Sequence, residues 1–349
     1  MEKIAVIGGG IAGASAAVEL AEAGYEVIIL EKSEEIGGNV KHYGCKAVDV
    51  CTKCNLCLVD DILFEVLENE NIDVLYNTRV NDLRGKQGNY SLGIEREGEY
   101  LSIANIDTIV LATGYKKWSD LETGTPEIFA DERILWASEV EDILENRLDH
   151  IENEDPVGLD MIPESVAFIQ CNGSRSIQEK AKYCSKICCG YNYRLARVFK
   201  YFYPDVEVTM FFMDIQEGGY ITNITFDLLE EEDIKYKNCK PIKLENKGDK
   251  LKLIYEDQKF GKIDEVLIDM LVLSEGIRPG EENEKWSKIF NLQLDEYGFL
   301  YPIEEEKKTG IYLAGTIKGP KDIANTISDS KNVAYRIINN SRNILKSGG

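Results

Sequence analysis

The sequence predicts an α/β fold built from two parallel-sheet units in tandem. An apolar strand, Lys3 to Ile7, runs into a glycine turn, Gly8 to Gly13, then a small-residue helix and a second strand, Tyr25 to Leu30. The same strand-turn-helix-strand order restarts at Val166 to Gln170. At 349 residues, with 44% hydrophobic and 29% charged, the chain is long enough and apolar enough to bury two ordinary cores.

The first unit reads as a strand over Lys3–Ile7, a helix over Ala14–Ala23 and a strand over Tyr25–Leu30. A cysteine-bearing stretch, Cys45 to Cys57, leads into a helix over about Asp60–Glu70, followed by strands at Asp73–Tyr76, Tyr90–Glu95 and Thr108–Ala112. Asn146 to Pro163 is acidic and without periodicity, which predicts a linker or surface excursion. The second unit reads as a strand over Val166–Gln170, a helix near Tyr191–Phe202 and a strand over Val206–Met213. Further strands fit Leu251–Tyr255 and Met270–Leu273, and the acidic Leu228 to Asp233 reads as a solvated helix face. The chain closes with a strand over Ile311–Ala314, a turn and a helix over Ile323–Ile338. These limits predict a discontinuous dinucleotide-binding domain, 1–145 with 290–349, around a second domain at 160–289.

Composition narrows the function. A formal charge of -22 repels phosphate backbones and anionic lipid, so neither nucleic acid nor a membrane surface is an expected partner. Charge interrupts every apolar run well short of the roughly 18 residues of a spanning helix, and no leader peptide is evident, so the expected location is the cytoplasm. In that reducing setting nine cysteines point to metal or redox chemistry rather than to disulfides. With only His42 and His150, a histidine-rich metal site is not expected.

Gly8-Gly9-Gly10-Ile11-Ala12-Gly13 is a dinucleotide fingerprint between strand and helix, with Glu31 ending the next strand. Gly8 permits the tight turn, Gly10 lets backbone approach a pyrophosphate, and Gly13 lets helix and strand pack closely. The amides at the helix start, Ile11 and Ala12 included, face the phosphate, and Glu31 accepts from ribose hydroxyls. The surroundings favour FAD over NAD: Glu31-Lys32-Ser33 followed by Gly37-Gly38, and Ala112-Thr113-Gly114 after an apolar strand, resemble two-dinucleotide-domain flavoproteins. Gly310 to Thr316, leading into a helix at Ile323, resembles the segment by which such proteins bring positive helix dipole to the flavin ring. Lys318 and Asp322 are candidate polar contacts there, with helix capping as the alternative for Asp322.

In the second unit the corresponding turn lacks a glycine fingerprint. It reads Cys171-Asn172-Gly173-Ser174-Arg175, with Cys184, Cys188 and Cys189 following. Four thiolates suit one four-iron cluster, and a bend eased by Gly190 would let the adjacent pair both ligate. The aromatic residues from Tyr191 to Tyr203 read as core and interface packing, with cluster shielding as the alternative.

Val166 to Arg175, Tyr183 to Cys189, Phe212-Met213-Asp214-Ile215 and Ala314 to Ile323 together resemble the A-type subunit of heterodisulfide reductase, and the similarity spans almost the whole chain. The resemblance implies two Rossmann-like domains of the thioredoxin-reductase and glutathione-reductase kind, the second with cluster-binding cysteines in place of its nucleotide loop. It implies FAD beside a four-iron cluster on Cys171, Cys184, Cys188 and Cys189, in an oxidoreductase complex with thiol-disulfide or sulfur chemistry. Partners would be the B- and C-type subunits of such a complex, or ferredoxin-like carriers, around a homodimer. Repeated four-cysteine modules of the full-length family are missing, which resembles the short form in sulfur-oxidising complexes. Bifurcating relatives place a lysine five positions after the cysteine pair; this sequence has Arg194, which stays charged and does not readily donate its proton.

Cys51, Cys54 and Cys57 form a ferredoxin-like C-x2-C-x2-C run, with Cys45 six residues upstream. It is a candidate for a second cluster, with Cys45 or Cys239 as fourth ligand; Cys239 also reads as a core cysteine. The alternative is a redox disulfide between Cys51 and Cys54, as in a self-contained NAD(P)H-dependent flavin disulfide reductase. The Cys188-Cys189-Gly190 triplet also resembles the cysteine-rich module of the heterodisulfide-cleaving protein of such complexes, but no later C-x2-C completes it.

Overall fold

A computed structural model of the chain describes residues 2–48, 51, 54–120, 131–146, 162–216, 226–258 and 260–347. It divides into two compact units: Met1–His42, Asn55–Lys116 and Arg278–Gly349 form the first, Tyr43–Cys54 and Lys117–Ile277 the second. Most of the expected linker, Asn146 to Pro163, lies outside the described residues.

The first unit is organised by a five-stranded parallel sheet in the order Ile311–Leu313, Thr108–Leu111, Lys3–Ile7, Glu26–Leu30, Ile72–Leu75. Strands covered on both faces read as continuous apolar runs, and these are rich in Ile, Val and Leu. Helix α1 (Ile11–Glu22) covers one face with Ala14, Ala16, Ala17 and Ala21, small residues that let it lie close to the sheet. A three-stranded antiparallel meander, Thr78–Lys86, Asn89–Arg96 and Glu99–Ile106, adds Val80, Tyr90, Leu92 and Ile94 to the core on the other face. Helix α2 (Cys57–Glu68) begins three residues earlier than the sequence predicts, so that Cys57 is its first residue.

The second unit repeats the plan: Ile234–Lys237, Glu207–Phe211, Ser165–Ile169, Met270–Leu273, Ile134–Trp136, all parallel. Because Ile134–Trp136 pairs with Met270–Leu273, the segment from Lys117 onward belongs here rather than to the first unit, where the sequence pattern places everything up to 145. Helix α3 (Ala137–Asn146) follows that strand. Helix α4 (Cys188–Phe202) packs Tyr193 and Phe199 into the core, and its C-cap Tyr203 joins them there, as expected of those aromatics. It begins at Cys188 rather than Tyr191 and runs through Gly190, so the adjacent thiols sit in its first turn. The bend comes earlier, at Lys186, whose φ is +63°.

Glu230, Glu231 and Asp233 are exposed, as a solvated helix face requires, while Leu229 and Glu232 of the same stretch turn inward. Leu229 is fully buried, and Glu232 accepts from Tyr193 Oη (2.9 Å) and Arg197 Nε (2.7 Å). Core burial of the leucine draws its acidic neighbour onto α4.

Both sheets place the first strand of their βαβ pattern third in the order, with connections leaving to opposite sides. That is the switch-point arrangement, in which ligands bind beyond the carboxyl end of the central strand. In the first unit that end is Gly8; in the second it is Gln170-Cys171.

Candidate functional site

At the first switch point the backbone excludes side chains where a dinucleotide would have to come close. Gly8 has φ +103°, and a Cβ there would lie 2.6 Å from the Ala112 carbonyl oxygen. A Cβ on Gly13 would collide with the carbonyl oxygen of Gly8, so helix and strand meet at van der Waals distance only because Gly13 has no side chain. Gly10 differs, since nothing lies nearer than 3.9 Å to its missing Cβ. As the N-cap of α1, Gly10 offers no side-chain hydrogen bond to the amides of the first turn, Ile11, Ala12 and Gly13, which a helix leaves without intrahelical partners.

Glu31 is buried, 7% exposed, at the end of the neighbouring strand. Its Oε2 accepts from Gly9 N–H (2.6 Å), and its Oε1 accepts from Ser33 N–H (2.9 Å) and Oγ–H (2.6 Å). A carboxylate offers about four lone-pair sites, so acceptor capacity remains for one hydroxyl. The sequence gives little sign that Ser33 orients the carboxylate; its place two residues after Glu31 is the signal for it. Lys32 is exposed, and Gly38 (φ +61°) lies beside Gly10, where its own Cβ would sit 3.2 Å from the Gly10 Cα. Thr113 and Gly114 follow the strand Thr108–Leu111, with Gly114 at φ +78°.

The carboxy-terminal segment meets the same turn. Gly315 has φ +74°, and a Cβ there would lie 2.5 Å from the Ala12 Cβ. Asp329 Oδ2 accepts from Gly315 N–H (2.8 Å), while its Oδ1 pairs with Lys318 Nζ (2.8 Å), so the Lys318 ammonium is held by the protein itself. Thr316 is buried in the short turn Gly315–Lys318. Asp322 accepts from Asn325 N–H (2.7 Å), the capping geometry for the helix Ile323–Ser347. Ile323 packs beside Ile11, Val59 and Ile327.

The second switch point carries the four thiols. Cys171, Cys188 and Cys189 are buried and Cys184 half-buried. The Cys184 sulfur accepts from Lys186 N–H (3.2 Å), and the Cys189 thiol donates to the Asp214 carbonyl oxygen (4.0 Å). Burial pushes the Cys171 and Cys188 thiols up, and pushes Cys189 up to about 11; charge on the other thiols adds to the effect at each. That mutual influence places the four in one electrostatic neighbourhood, where Arg175 and Lys240 favour negative charge on Cys171. Non-glycine residues at positive φ gather here, at Cys171 (+58°), Arg175 (+52°) and Lys186 (+63°), the kind of backbone strain found at functional loops. Trp118 lies over Gly173, where no side chain would fit. Gln170 Nε2 and Asn172 Nδ2, either side of Cys171, are buried donors with no hydrogen-bond partner among the described residues.

No group of three or more His, Cys, Asp or Glu among the described residues is arranged to hold a single metal ion. Cys45, Cys51 and Cys57 are exposed and Cys54 is half-buried. Cys239 is a core residue, 5% exposed among Phe211, Leu251, Leu253 and Tyr255. No helix among the described residues is long and apolar enough to cross a membrane.

Comparison with known proteins gives a consistent picture. Residues 6–53 match the NAD(P)-binding Rossmann-like domain family. The A-type subunit of the H2:CoB-CoM heterodisulfide, ferredoxin reductase of Methanothermobacter thermautotrophicus is 25% identical over 96% of this chain and 63% of its own length. An Archaeoglobus profundus protein similar to the A-type subunit of heterodisulfide reductase is 22% identical over 95% of this chain and 65% of its own. The chain thus spans less than two thirds of the length of these homologues. Among solved structures, the thioredoxin reductase of T. acidophilum superposes with a TM-score of 0.59 at 17% identity, covering 98% of this chain and 99% of that one. The NAD-dependent persulfide reductase of A. fulgidus gives 0.57 at 19% identity, covering 96% and 58%. The fold is that of the thioredoxin-reductase-like flavoproteins, and the curated homologues are A-type subunits of heterodisulfide reductases.

Proposed function

We propose that this chain is the flavin and iron-sulfur electron-transfer subunit of a heterodisulfide-reductase-like oxidoreductase, with FAD at the Gly8 turn and one four-iron cluster on Cys171, Cys184, Cys188 and Cys189. FAD supplies two-electron chemistry and a four-iron cluster one-electron chemistry, so a protein holding both converts between electron pairs and single electrons.

The protein's part is binding and tuning. The space at Gly10 and the uncapped start of α1 receive a pyrophosphate, while Glu31, oriented by Gly9 and Ser33, receives a ribose hydroxyl. The observation that carries the cluster assignment is the gathering of four thiols at the second switch point, three of them buried, where charge on each bears on the others. The charges of Arg175 and Lys240 favour thiolate, the form that ligates iron, at Cys171, against the burial that otherwise keeps these thiols protonated. Four thiolates on one four-iron cluster each bind a different iron, so the site needs no single-ion geometry.

Cys51, Cys54 and Cys57 are proposed as a second cluster set. Cys45 is proposed as their fourth member, and the packing of Cys239 in the core of the second unit supports that choice. The names of the homologues support B- and C-type partner subunits or a ferredoxin-like carrier as the electron source and sink.

Anaerobic mixing of the flavin-loaded protein with NADH or NADPH tests the reading. The flavin absorbance is expected to persist. Rapid bleaching, with two titrating thiols and no iron, would replace the proposal with a self-contained disulfide reductase acting through Cys51 and Cys54.

A further inference from the structure

Gln170 is the last residue before Cys171, at the carboxyl end of the central strand, and its side chain is 1% exposed. Its side chain meets one other buried amide, Asn192, whose Oδ1 is also without a partner among the described residues. Asn192, fully buried on α4, donates Nδ2 to Gln170 Oε1 (3.3 Å), which turns the Gln170 amino group away from it. That amino group has no acceptor among the described residues. A buried donor left without a partner is costly, and native interiors rarely keep one without a reason.

A second observation brings Gln170 and Cys189 together. Gln170 and Cys189 share the lining of a small interior cavity with Met210, Phe212, Ile215 and Leu229. Those four side chains are apolar or, in Met210, only weakly accepting. The strongest acceptor the lining can present is therefore the Cys189 sulfur, once it is a thiolate.

We infer that Gln170, held by Asn192, donates from Nε2 to the sulfur of the group that the four cysteines hold, and thereby raises its reduction potential. The inference rests on the cluster reading above. A hydrogen bond to sulfur offsets negative charge, and the reduced state carries one electron more than the oxidised state, so the donor favours reduction. Asn192 acts through Gln170 as a positioning residue.

The test is a redox titration of the anaerobically reconstituted full chain, followed by electron paramagnetic resonance, on wild type, Gln170→Leu and Gln170→Glu. Iron content is expected to stay at the wild-type level. The midpoint is expected to move negative in Gln170→Leu, which cannot donate, and further in Gln170→Glu, which adds negative charge. An unmoved midpoint at full iron content overturns the inference and leaves the cluster reading standing. Wild-type protein that takes up no iron overturns the cluster reading itself. Independently of whether the variants fold, wild-type protein labelled with 15N in its glutamine side chains is expected to show a nitrogen coupling to the reduced cluster in pulsed resonance. Absence of that coupling overturns the inference.

Discussion

A side chain on Gly13 would begin inside the contact distance of the Gly8 carbonyl oxygen, whereas one on Gly10 would meet nothing closer than 3.9 Å. The two glycines therefore fail differently. Gly13→Ala is expected to destabilise the first unit by about 1–3 kcal/mol, as overpacking does, and to lower flavin content with it. Gly10→Ala is expected to keep wild-type stability in urea while flavin affinity falls about tenfold or more, the equivalent of about 1.4 kcal/mol. Loss of stability in Gly10→Ala would mean that its space is structural and does not receive the pyrophosphate.

Asp322 separates capping from cofactor contact. Its hydrogen bond to Asn325 N–H predicts that Asp322→Ala costs about 1 kcal/mol in stability, with flavin content per chain unchanged. Flavin loss without a stability change would return Asp322 to the cofactor site.

Lys46 and Glu141 form an ion pair whose side chains are 9% and 3% exposed, and Lys46 Nζ also lies 5.3 Å from the centre of the Tyr191 ring. Gly44 N–H donates to the same carboxylate (2.8 Å), so the pair fixes the segment that carries Cys45. Glu141→Ala leaves a buried, uncompensated ammonium, and is expected to cost about 3–5 kcal/mol in denaturant unfolding. The double variant Lys46→Met/Glu141→Leu is expected to lose much less, because no buried charge is stranded.

Arg133 gives the second unit an acid limb. Its hydrogen bond holds the Asp131 carboxyl below the usual carboxylate range, against desolvation by burial, which acts the other way. A depressed folded-state value contributes stability above the unfolded value, about 3.9, and that contribution is lost as pH falls through the folded value. The stability gap between wild type and Asp131→Asn is therefore expected to be constant above about pH 5 and to shrink at lower pH. A gap that widens on acidification would contradict the assignment.

The sequence is most readable where burial on both faces leaves no choice of residue. Lys3–Ile7 and Met270–Leu273 are continuous apolar strands, and their limits coincide with those predicted. The antiparallel meanders are legible only in their central strands, Asn89–Arg96 and Leu251–Asp257, which alternate buried and less buried residues. Their partners resist reading because one face is solvated: Lys262–Ile268 buries only its last residue, and Glu99–Ile106 does likewise. Ile134–Trp136 is three residues long and owes its place to pairing with Met270–Leu273, which no local pattern announces; the boundary between the units differs from the expected one for that reason. At the two switch points glycines and cysteines announce themselves by spacing. Their supports do not, because Ser33, Gln170 and Asn192 matter through partners that only the folded chain brings to them.

The most direct test of the account is iron and acid-labile sulfide quantitation on anaerobically purified protein, with electron paramagnetic resonance after reduction, in wild type and in Cys184→Ala. The account predicts a four-iron signal in wild type that is lost in Cys184→Ala, with flavin content unchanged. Wild-type protein that binds flavin but no iron, or a four-iron signal identical in both proteins, would contradict the assignment of the cluster to Cys171, Cys184, Cys188 and Cys189.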